Sequence, residues 1–120
     1  MKDFRTLIVW QKSHFLTLSI YKQTLLMPKV EMFGLTSQIR RSVSSIPTNI
    51  AEGCGRGSDK DFARFIQIAM GSASETSYLL VLISDLNYIS KEIFQNLIDL
   101  INEVMKMLSS LLKTLKISNN

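Results

Sequence analysis

Residues 94–115 read FQNLIDLINEVMKMLSSLLKTL, and their apolar side chains recur at alternating steps of three and four residues. This spacing places the apolar positions on one face of an α-helix and is typical of the seam between antiparallel helices in a bundle. The stretch predicts a long helix over 91–116 that other helices bury along one side. Its seam positions are Phe94, Leu97, Ile101, Val104, Leu108, Leu111 and Leu115.

Three earlier segments also have helical patterns. The first, predicted over 6–27, contains no Gly or Pro and ends before Pro28, because proline disfavours helical geometry at the preceding residue. The third, over 59–87, follows Ser58, which is a suitable N-cap, and Ser90 is the matching cap of the fourth. The second, over 36–54, has a seam at Leu35, Ile39, Val43, Ile46, Ile50 and Cys54.

Pro47 interrupts the second predicted helix. Because proline has no amide hydrogen, the carbonyl of Val43 loses its intrahelical donor, and we expect a kink at this point. The nearby hydroxyls that could bond this carbonyl belong to Ser44, Ser45 and Thr48.

Four helices with short connections predict an all-α fold, an antiparallel up-down four-helix bundle that forms one domain over 1–120. The last two helices carry more apolar residues than one seam each requires, since 79–83 are apolar around the whole helix and the fourth seam is flanked on both sides. Either the core is unusually large or a second subunit covers this surface, and we expect a homo-oligomer. The flanking residues are Ile93, Ile98, Leu100, Met105, Met107 and Leu112.

The composition argues against several classes of protein. The longest apolar run, YLLVLI at 78–83, is far shorter than the roughly 20 residues that span a bilayer, and the N-terminal residues lack the apolar centre of a secretory signal. We therefore expect a cytoplasmic protein with no membrane partner. With one cysteine, Cys54, one histidine, His14, and no recognisable catalytic constellation, we expect no disulfide, no metal, no cofactor and no enzymatic activity.

The glycine-rich stretch NIAEGCGRGS at 49–58 follows a helix rather than a strand and lacks the spacing of a phosphate-binding loop. Its glycines favour a tight corner between two helices. A second interpretation is an anion site, because Arg56, Lys60 and Arg64 lie next to the start of the third helix, although Asp59 and Asp61 oppose an anion there.

A polar stripe also runs along the second predicted helix at steps of three and four residues. It is either a solvated surface or a hydrogen-bonded strip at a boundary between helices or subunits. Its members are Gln38, Arg41, Ser45, Asn49, Glu52 and Arg56.

The positive charge is concentrated in the first half of the chain. Residues 1–64 hold ten Lys and Arg against five Asp and Glu, a net +5, whereas residues 65–120 hold four against five, a net −1. This balance favours weak, salt-dependent binding of RNA or DNA through phosphates, and the lack of aromatic residues interleaved with basic ones argues against base stacking. The alternative is a protein-interaction adaptor that binds no nucleic acid. The candidate nucleic-acid residues are Arg40, Arg41, Arg56, Lys60 and Arg64.

Three segments carry a family resemblance: LIVWQKSHFL at 7–16, PKVEMFGLTSQIRRSVSSIPTNIAEGCGRGS at 28–58 and FIQIAMGSASE at 65–75. Over about residues 4–90 the chain resembles the four-helix-bundle proteins encoded in 23S rRNA intervening sequences. The resemblance implies a four-helix subunit that assembles into a ring, typically a pentamer, and a historical link to ribosomal RNA. The motif positions, for which it implies structural roles, are Gln38, Asn49, Glu52, Gly53, Gly71 and Glu75.

A related branch is the accessory variability determinant of diversity-generating retroelements, which looks like a basic pentameric barrel that binds nucleic acid and a reverse transcriptase. The resemblance therefore implies self-association, with rRNA, another nucleic acid or a protein as the further partner. The small side chains of 71–74 fit a close approach between helices in such an assembly.

Overall fold

Four α-helices make up most of the computed structural model, which describes residues 3–118. They are α1 (Ile8–Thr24), α2 (Leu35–Cys54), α3 (Asp59–Asp85) and α4 (Lys91–Ser118). Short 3-10 turns, Phe4–Thr6 and Lys29–Glu31, precede α1 and α2, and no strand occurs within the described residues. The prediction of an all-α, four-helix fold is confirmed, with helix ends shifted by up to three residues.

Consecutive helices run antiparallel. Contacts of α1 with α2 pair Thr17 with Val43 and Thr24 with Arg40, so the residue number falls along one helix as it rises along the other. Backbone contacts join α1 to α2, α2 to α3, α3 to α4 and α4 to α1, with none between the diagonal pairs in residues 3–118. Each helix therefore packs against two neighbours, as in a four-helix bundle.

The predicted seams form the core. In α4, Leu97, Ile101, Val104, Leu108 and Leu115 are buried, while Phe94 and Leu111 are half-buried against them. In α2, every seam position except the half-buried Leu35 is buried. α1 adds Leu16 and Ile20, and α3 adds a face that includes Ile66, Leu80 and Ile83.

The flanking residues of α4 do not form a second exposed apolar face. They are half-buried and pack against the core, because α4 lies in the groove between α1 and α3. The expectation of surplus surface on α4 is therefore wrong. The exposed large apolar side chains of the described residues lie instead on α1, on the α1–α2 connection and on α3 with its C-terminal end, namely Ile8, Phe15, Leu18, Tyr21, Leu25, Leu26, Val30, Met32, Phe33, Ile68, Tyr78, Val81 and Leu86.

Two of the helix starts follow from local sequence, as predicted. The Ser58 hydroxyl accepts the amide of Asp61 at 3.1 Å, and the Ser90 hydroxyl accepts the amide of Ile93 at 3.1 Å. Both are N-cap hydrogen bonds, which satisfy amides that have no intrahelical partner.

The start of α2 depends on a distant residue. The amide of Leu35 donates to Glu31 Oε1 at 3.3 Å, and Glu31 Oε2 accepts the Tyr88 hydroxyl from the α3–α4 corner at 3.0 Å. The hydrogen bond to Glu31 raises the pKa of Tyr88, with burial and the charge of Glu31 adding in the same direction. Glu31 thus links the α1–α2 connection to the α3–α4 corner, which lies at the same end of the bundle.

Pro47 lies within α2, which continues as one helix from Leu35 to Cys54. The Val43 carbonyl accepts the buried hydroxyl of Thr17 in α1 at 3.3 Å, a hydroxyl that also lies 2.8 Å from the Ser13 carbonyl. The prediction that Ser44, Ser45 or Thr48 would supply this donor is therefore wrong. Ser44 and Thr48 bond other carbonyls of α2, and Ser45 bonds Ser72.

By length and composition α3 could cross a bilayer, and within the described residues no other helix meets that test. A core helix of a soluble protein meets it equally, so the observation is weak. α3 packs against both α2 and α4 and buries one face in the core. Its apolar character follows from that position.

We predict that Thr17→Val lowers the free energy of unfolding by about 1–3 kcal/mol, because it leaves the buried Val43 carbonyl without a donor while keeping the side-chain shape. Denaturant unfolding followed by circular dichroism measures this. The control is Thr48→Val, which removes an exposed hydroxyl bonded within its own helix and should change stability by no more than about 0.5 kcal/mol. Equal effects of the two substitutions would contradict the assignment of the Thr17 bond.

Candidate nucleic-acid interface

The five candidate cations do not form one cluster. Arg56, Lys60 and Arg64 lie at the α2–α3 corner, whereas Arg40 and Arg41 lie near the beginning of α2. At 1.5 Å per residue, the 13 residues from Arg41 to Cys54, the last residue of α2, span about 20 Å of helix. The two groups are therefore separate surfaces.

The glycine-rich stretch forms the helix-to-helix corner that the sequence favours. α2 ends at Cys54, the Gly55 amide donates to the Glu52 carbonyl at 3.1 Å, and α3 begins at Asp59. Gly57 has a φ of 84°, which lies in the left-handed region that side chains disfavour. The polypeptide thus reverses direction within four residues, 55–58.

Gly53 allows α3 to pack closely on α2. A Cβ atom at this position would lie 2.8 Å from Cδ1 of Phe62 and 2.9 Å from Cβ of Phe65, closer than such atoms approach in proteins. The structural role that the resemblance implies for Gly53 therefore has a steric explanation.

Two guanidinium groups converge on Phe65 at this corner. The Cζ atoms of Arg56 and Arg64 lie 4.9 Å and 4.6 Å from the centre of the ring, within the range of cation–π interactions. Arg56 also pairs with Glu52 at 2.9 Å. Phe65 is only 6% exposed, so the corner holds its cations against a buried ring.

The corner is not positively charged by itself. The three cations are matched by three acidic residues, Glu52, Asp59 and Asp61. Two further elements add charge at this end of the bundle. α4 runs antiparallel to α3, so its residues Lys113 and Lys116 lie level with the first turns of α3. Arg5 lies here as well, in the turn that precedes α1.

We call this region the basic end. Six cations and four acidic residues give it a net charge of +2, whereas Lys22, Lys29, Arg40 and Lys91 at the opposite end stand against Glu31, Asp85 and Glu92, a net charge of +1. Lys113 and Lys116 are absent from the sequence-based candidates because only the direction of α4 brings them near residues 56–64. The members of the basic end are Arg5, Arg56, Lys60, Arg64, Lys113 and Lys116, with Asp3, Glu52, Asp59 and Asp61.

Arg40 joins α1 to α2. Its Nε donates to the Thr24 hydroxyl at 2.8 Å, its Nη2 donates to the Tyr21 carbonyl at 3.2 Å, and its guanidinium lies 4.7 Å from the Tyr21 ring. Arg40 thus bonds a carbonyl in the last turn of α1, where a positive charge also favours the helix dipole.

Arg41 pairs with Glu75 of α3, with 2.7 Å between Nη2 and Oε2. Both side chains are largely exposed, at 64% and 37%, so the pair contributes at most about 1 kcal/mol. The pair shows that the Arg41 end of the polar stripe contacts α3 at Glu75, which is another of the motif residues.

The middle of the polar stripe is a hydrogen-bonded strip between α2 and α3. The hydroxyls of Ser45 and Ser72 lie 2.9 Å apart, and the Asn49 amide donates to the Ser45 carbonyl at 2.8 Å and to its hydroxyl at 2.9 Å. Gln38 and the Glu52–Arg56 pair, at the two ends of the stripe, are exposed. Of the two interpretations, the centre fits the helix boundary and the ends fit a solvated surface.

An aromatic stack that the sequence does not predict lies at the start of α1. The rings of Trp10 and His14 are 4.9 Å apart and 11° from parallel, and Phe4 packs against Trp10 at 4.9 Å with a 58° tilt. The guanidinium of Arg5 lies 4.8 Å from the Phe4 ring. Only the four-residue spacing of Trp10 and His14 could have indicated this, because the Phe4–Thr6 turn brings the other two residues back onto α1.

No group of three or more His, Cys, Asp or Glu side chains in residues 3–118 could hold a metal ion. His14 is exposed and stacked on Trp10, and Cys54 is buried at the end of α2.

Comparisons with known proteins agree with this architecture. The family model described as 23S rRNA-intervening sequence protein matches residues 5–110, which contain all the candidate and motif residues except the added Lys113 and Lys116. The search of curated proteins gives no significant match. The chain is similar to the crystal structure of a protein of unknown function from the S23 ribosomal protein family of Bacteroides thetaiotaomicron, with 32% identity, a TM-score of 0.80, and coverage of 88% of this chain and 99% of that chain.

We predict that Gly53→Ala destabilises the protein by about 1–3 kcal/mol, because the added methyl group clashes with Phe62 and Phe65. The matched control is Gly55→Ala, where the new Cβ would meet the Glu52 carbonyl oxygen at an ordinary 3.5 Å. Thermal and denaturant unfolding measure both variants. If Gly53→Ala is as stable as Gly55→Ala, the close approach of α3 to α2 at this glycine is wrong.

Proposed function

The chain belongs to the 23S rRNA-intervening sequence protein family, and from this membership and the charge distribution we propose that it is a non-catalytic, cytoplasmic, oligomeric scaffold that binds RNA or DNA weakly. The observation that carries the nucleic-acid part is the basic end. There Lys60 and Arg64 form no ion pair with another described residue, and Arg64 and Arg56 converge on Phe65.

Binding of this kind depends on phosphates rather than on base identity. Each phosphate that a Lys or Arg neutralises releases a counterion from the nucleic acid, so the affinity falls steeply as the salt concentration rises. The modest charge of the basic end supports weak binding.

Self-association is the second part of the proposal. Exposed apolar residues at steps of three and seven follow the outer face of α1, at Ile8, Phe15, Leu18 and Leu25, and Tyr78 and Val81 are exposed on α3. These helices are diagonal in the bundle, so the two faces point away from each other. A two-fold interface would pair one patch with itself, whereas head-to-tail contacts of one face with the other generate a ring when they close. This geometry supports a ring, and the number of five subunits is what the resemblance implies.

Gly71 supports a helix contact at the α3 face. It is exposed in the middle of α3, and a Cβ placed there would have no neighbour within 4 Å in the chain. Glycine in a helix interior is about 1 kcal/mol less favourable than alanine, and nothing within the described residues requires it. In the proposed assembly, large α1 side chains of a neighbouring subunit pack over Gly71, which explains the glycine at this position.

We predict that Gly71→Leu shifts the assembly towards monomers, because the new side chain occupies the space that α1 of the next subunit would fill. Size-exclusion chromatography with light scattering at micromolar concentration measures the state. Asn96→Leu, an equally exposed change on α4, is the control and should leave the assembly intact. A monomeric wild-type protein would refute self-association, and an unchanged oligomer in Gly71→Leu would refute the α3 face.

The alternative function is a protein-interaction adaptor with no affinity for nucleic acid. The observation in its favour is the balance of three cations by three acidic residues at the α2–α3 corner. Salt-dependent binding separates the two functions, because an adaptor should not bind rRNA fragments even near 50 mM salt, where phosphate contacts are strong.

We predict that the triple variant Arg56→Gln, Lys60→Gln, Arg64→Gln weakens the binding of rRNA fragments and reduces the slope of log affinity against log salt by about 0.7–0.9 for each phosphate that is no longer neutralised. Filter binding at several salt concentrations measures both. The control, Lys22→Gln, Lys29→Gln, Lys91→Gln, removes the same charge from the opposite end and should have the smaller effect. Equal effects would show that the net charge matters and the basic end does not.

A further inference from the structure

Four aromatic rings line one side of α1, with a guanidinium group over the first ring and another over the last. The Arg5 guanidinium lies over the Phe4 ring, Phe4 packs against Trp10, and Trp10 stacks on His14. Tyr21 lies two turns beyond His14 on the same side and carries the guanidinium of Arg40 at 4.7 Å. We call the set Arg5, Phe4, Trp10, His14, Tyr21 and Arg40 the α1 stack.

The α1 stack faces the groove between α1 and α2. Trp10, His14, Thr17 and Tyr21 recur at steps of four and three, which places them on one stripe of the helix. Thr17 bonds the Val43 carbonyl of α2, and Tyr21 receives Arg40 of α2, so the stripe lies on the α2 side. Because α1 begins at the basic end, the stack extends from that end along the groove.

We infer that the nucleic acid bound by this protein is single-stranded and that its unpaired bases stack on the α1 stack while its phosphates contact the basic end; this rests on the proposed nucleic-acid function. His14 is exposed and nearly parallel to Trp10, so it presents a ring on which a base continues the existing stack. Flat aromatic and guanidinium groups of this kind bind bases of any identity, because every base has a π-face.

A duplex cannot use this surface, because its bases are already stacked on each other and only their edges reach the grooves. Phosphate contacts alone would favour the duplex, because its charge density exceeds that of a single strand. The combination of cations at one end with the exposed rings of His14 and Tyr21 along the adjoining groove is instead the arrangement by which proteins bind single strands without sequence preference, while the half-buried Phe4 and Trp10 support His14 from the core side.

The test uses Trp10, the single tryptophan of the chain, as an internal fluorescent probe. The full-length protein is titrated at one salt concentration with three ligands: a single-stranded oligothymidylate, an abasic sugar–phosphate strand of equal length, and a DNA duplex. We expect oligothymidylate to quench Trp10 and to bind at least tenfold more tightly than the abasic strand, and the duplex to bind without quenching.

Variants separate stacking from charge. His14→Ala should weaken oligothymidylate binding severalfold and leave abasic-strand binding and the salt dependence unchanged, whereas His14→Phe should keep the wild-type affinity. Phe33→Ala removes the most exposed aromatic ring of the described residues, 94% accessible in the α1–α2 connection, and should have no effect. Circular dichroism and light scattering check that the fold and the assembly are intact.

Affinity for oligothymidylate no higher than for the abasic strand, without quenching, would overturn the stacking inference and leave phosphate binding in place. Failure to bind any of them, at low salt as well, would overturn the proposed nucleic-acid function and this inference with it.

Discussion

The packing of α2 against α3 is the contact on which the rest of the structure depends. Small side chains let the two helices pack closely, as at Gly53, where α3 presents Phe62 and Phe65. Polar pairs then fix the register, since the buried hydroxyls of Ser42 and Thr76 bond at 2.9 Å and Ser45 bonds Ser72 one turn away. A shift of one residue would break these interhelical pairs and leave each hydroxyl with only the carbonyl of its own helix, Ile39 for Ser42 and Ser72 for Thr76.

The same register positions the charged groups. With α3 held at this distance, the ring of Phe65 lies under both Arg56 and Arg64, and Arg41 reaches Glu75. The basic end is therefore a product of core packing as much as of surface composition. The apolar outer face of α1 begins beside this end, at Ile8, and extends away from it to Leu25, which leaves most of that face available for the proposed contact between subunits. A ring that repeats a weak site on each subunit would gain affinity through multivalency.

Features set by local periodicity could be predicted from the sequence. The seams of α2 and α4, the caps at Ser58 and Ser90 and the corner at 55–58 each depend on residues within a few positions of one another. Features set by tertiary contacts could not. The donor to the Val43 carbonyl comes from another helix, and the Glu31 carboxylate that accepts the first amide of α2 is held by Tyr88, far along the chain.

Tertiary contacts also decide the candidate site. Arg40 and Arg41 are adjacent in sequence but differ by about 100° around the helix, and they bond to different neighbours.

Pro47 has a consequence for how the molecule opens. Proteins exchange their amide hydrogens through cooperative units, and a terminal helix usually opens at lower free energy than the core. Here Pro47 has no amide hydrogen to donate to the Val43 carbonyl, which accepts the hydroxyl of Thr17 from α1. Detaching α1 would break this bond and expose the side chains that α1 buries in the core, so the middle of α1, around Thr17, is tied to the centre of α2 and is expected to exchange with it as one unit.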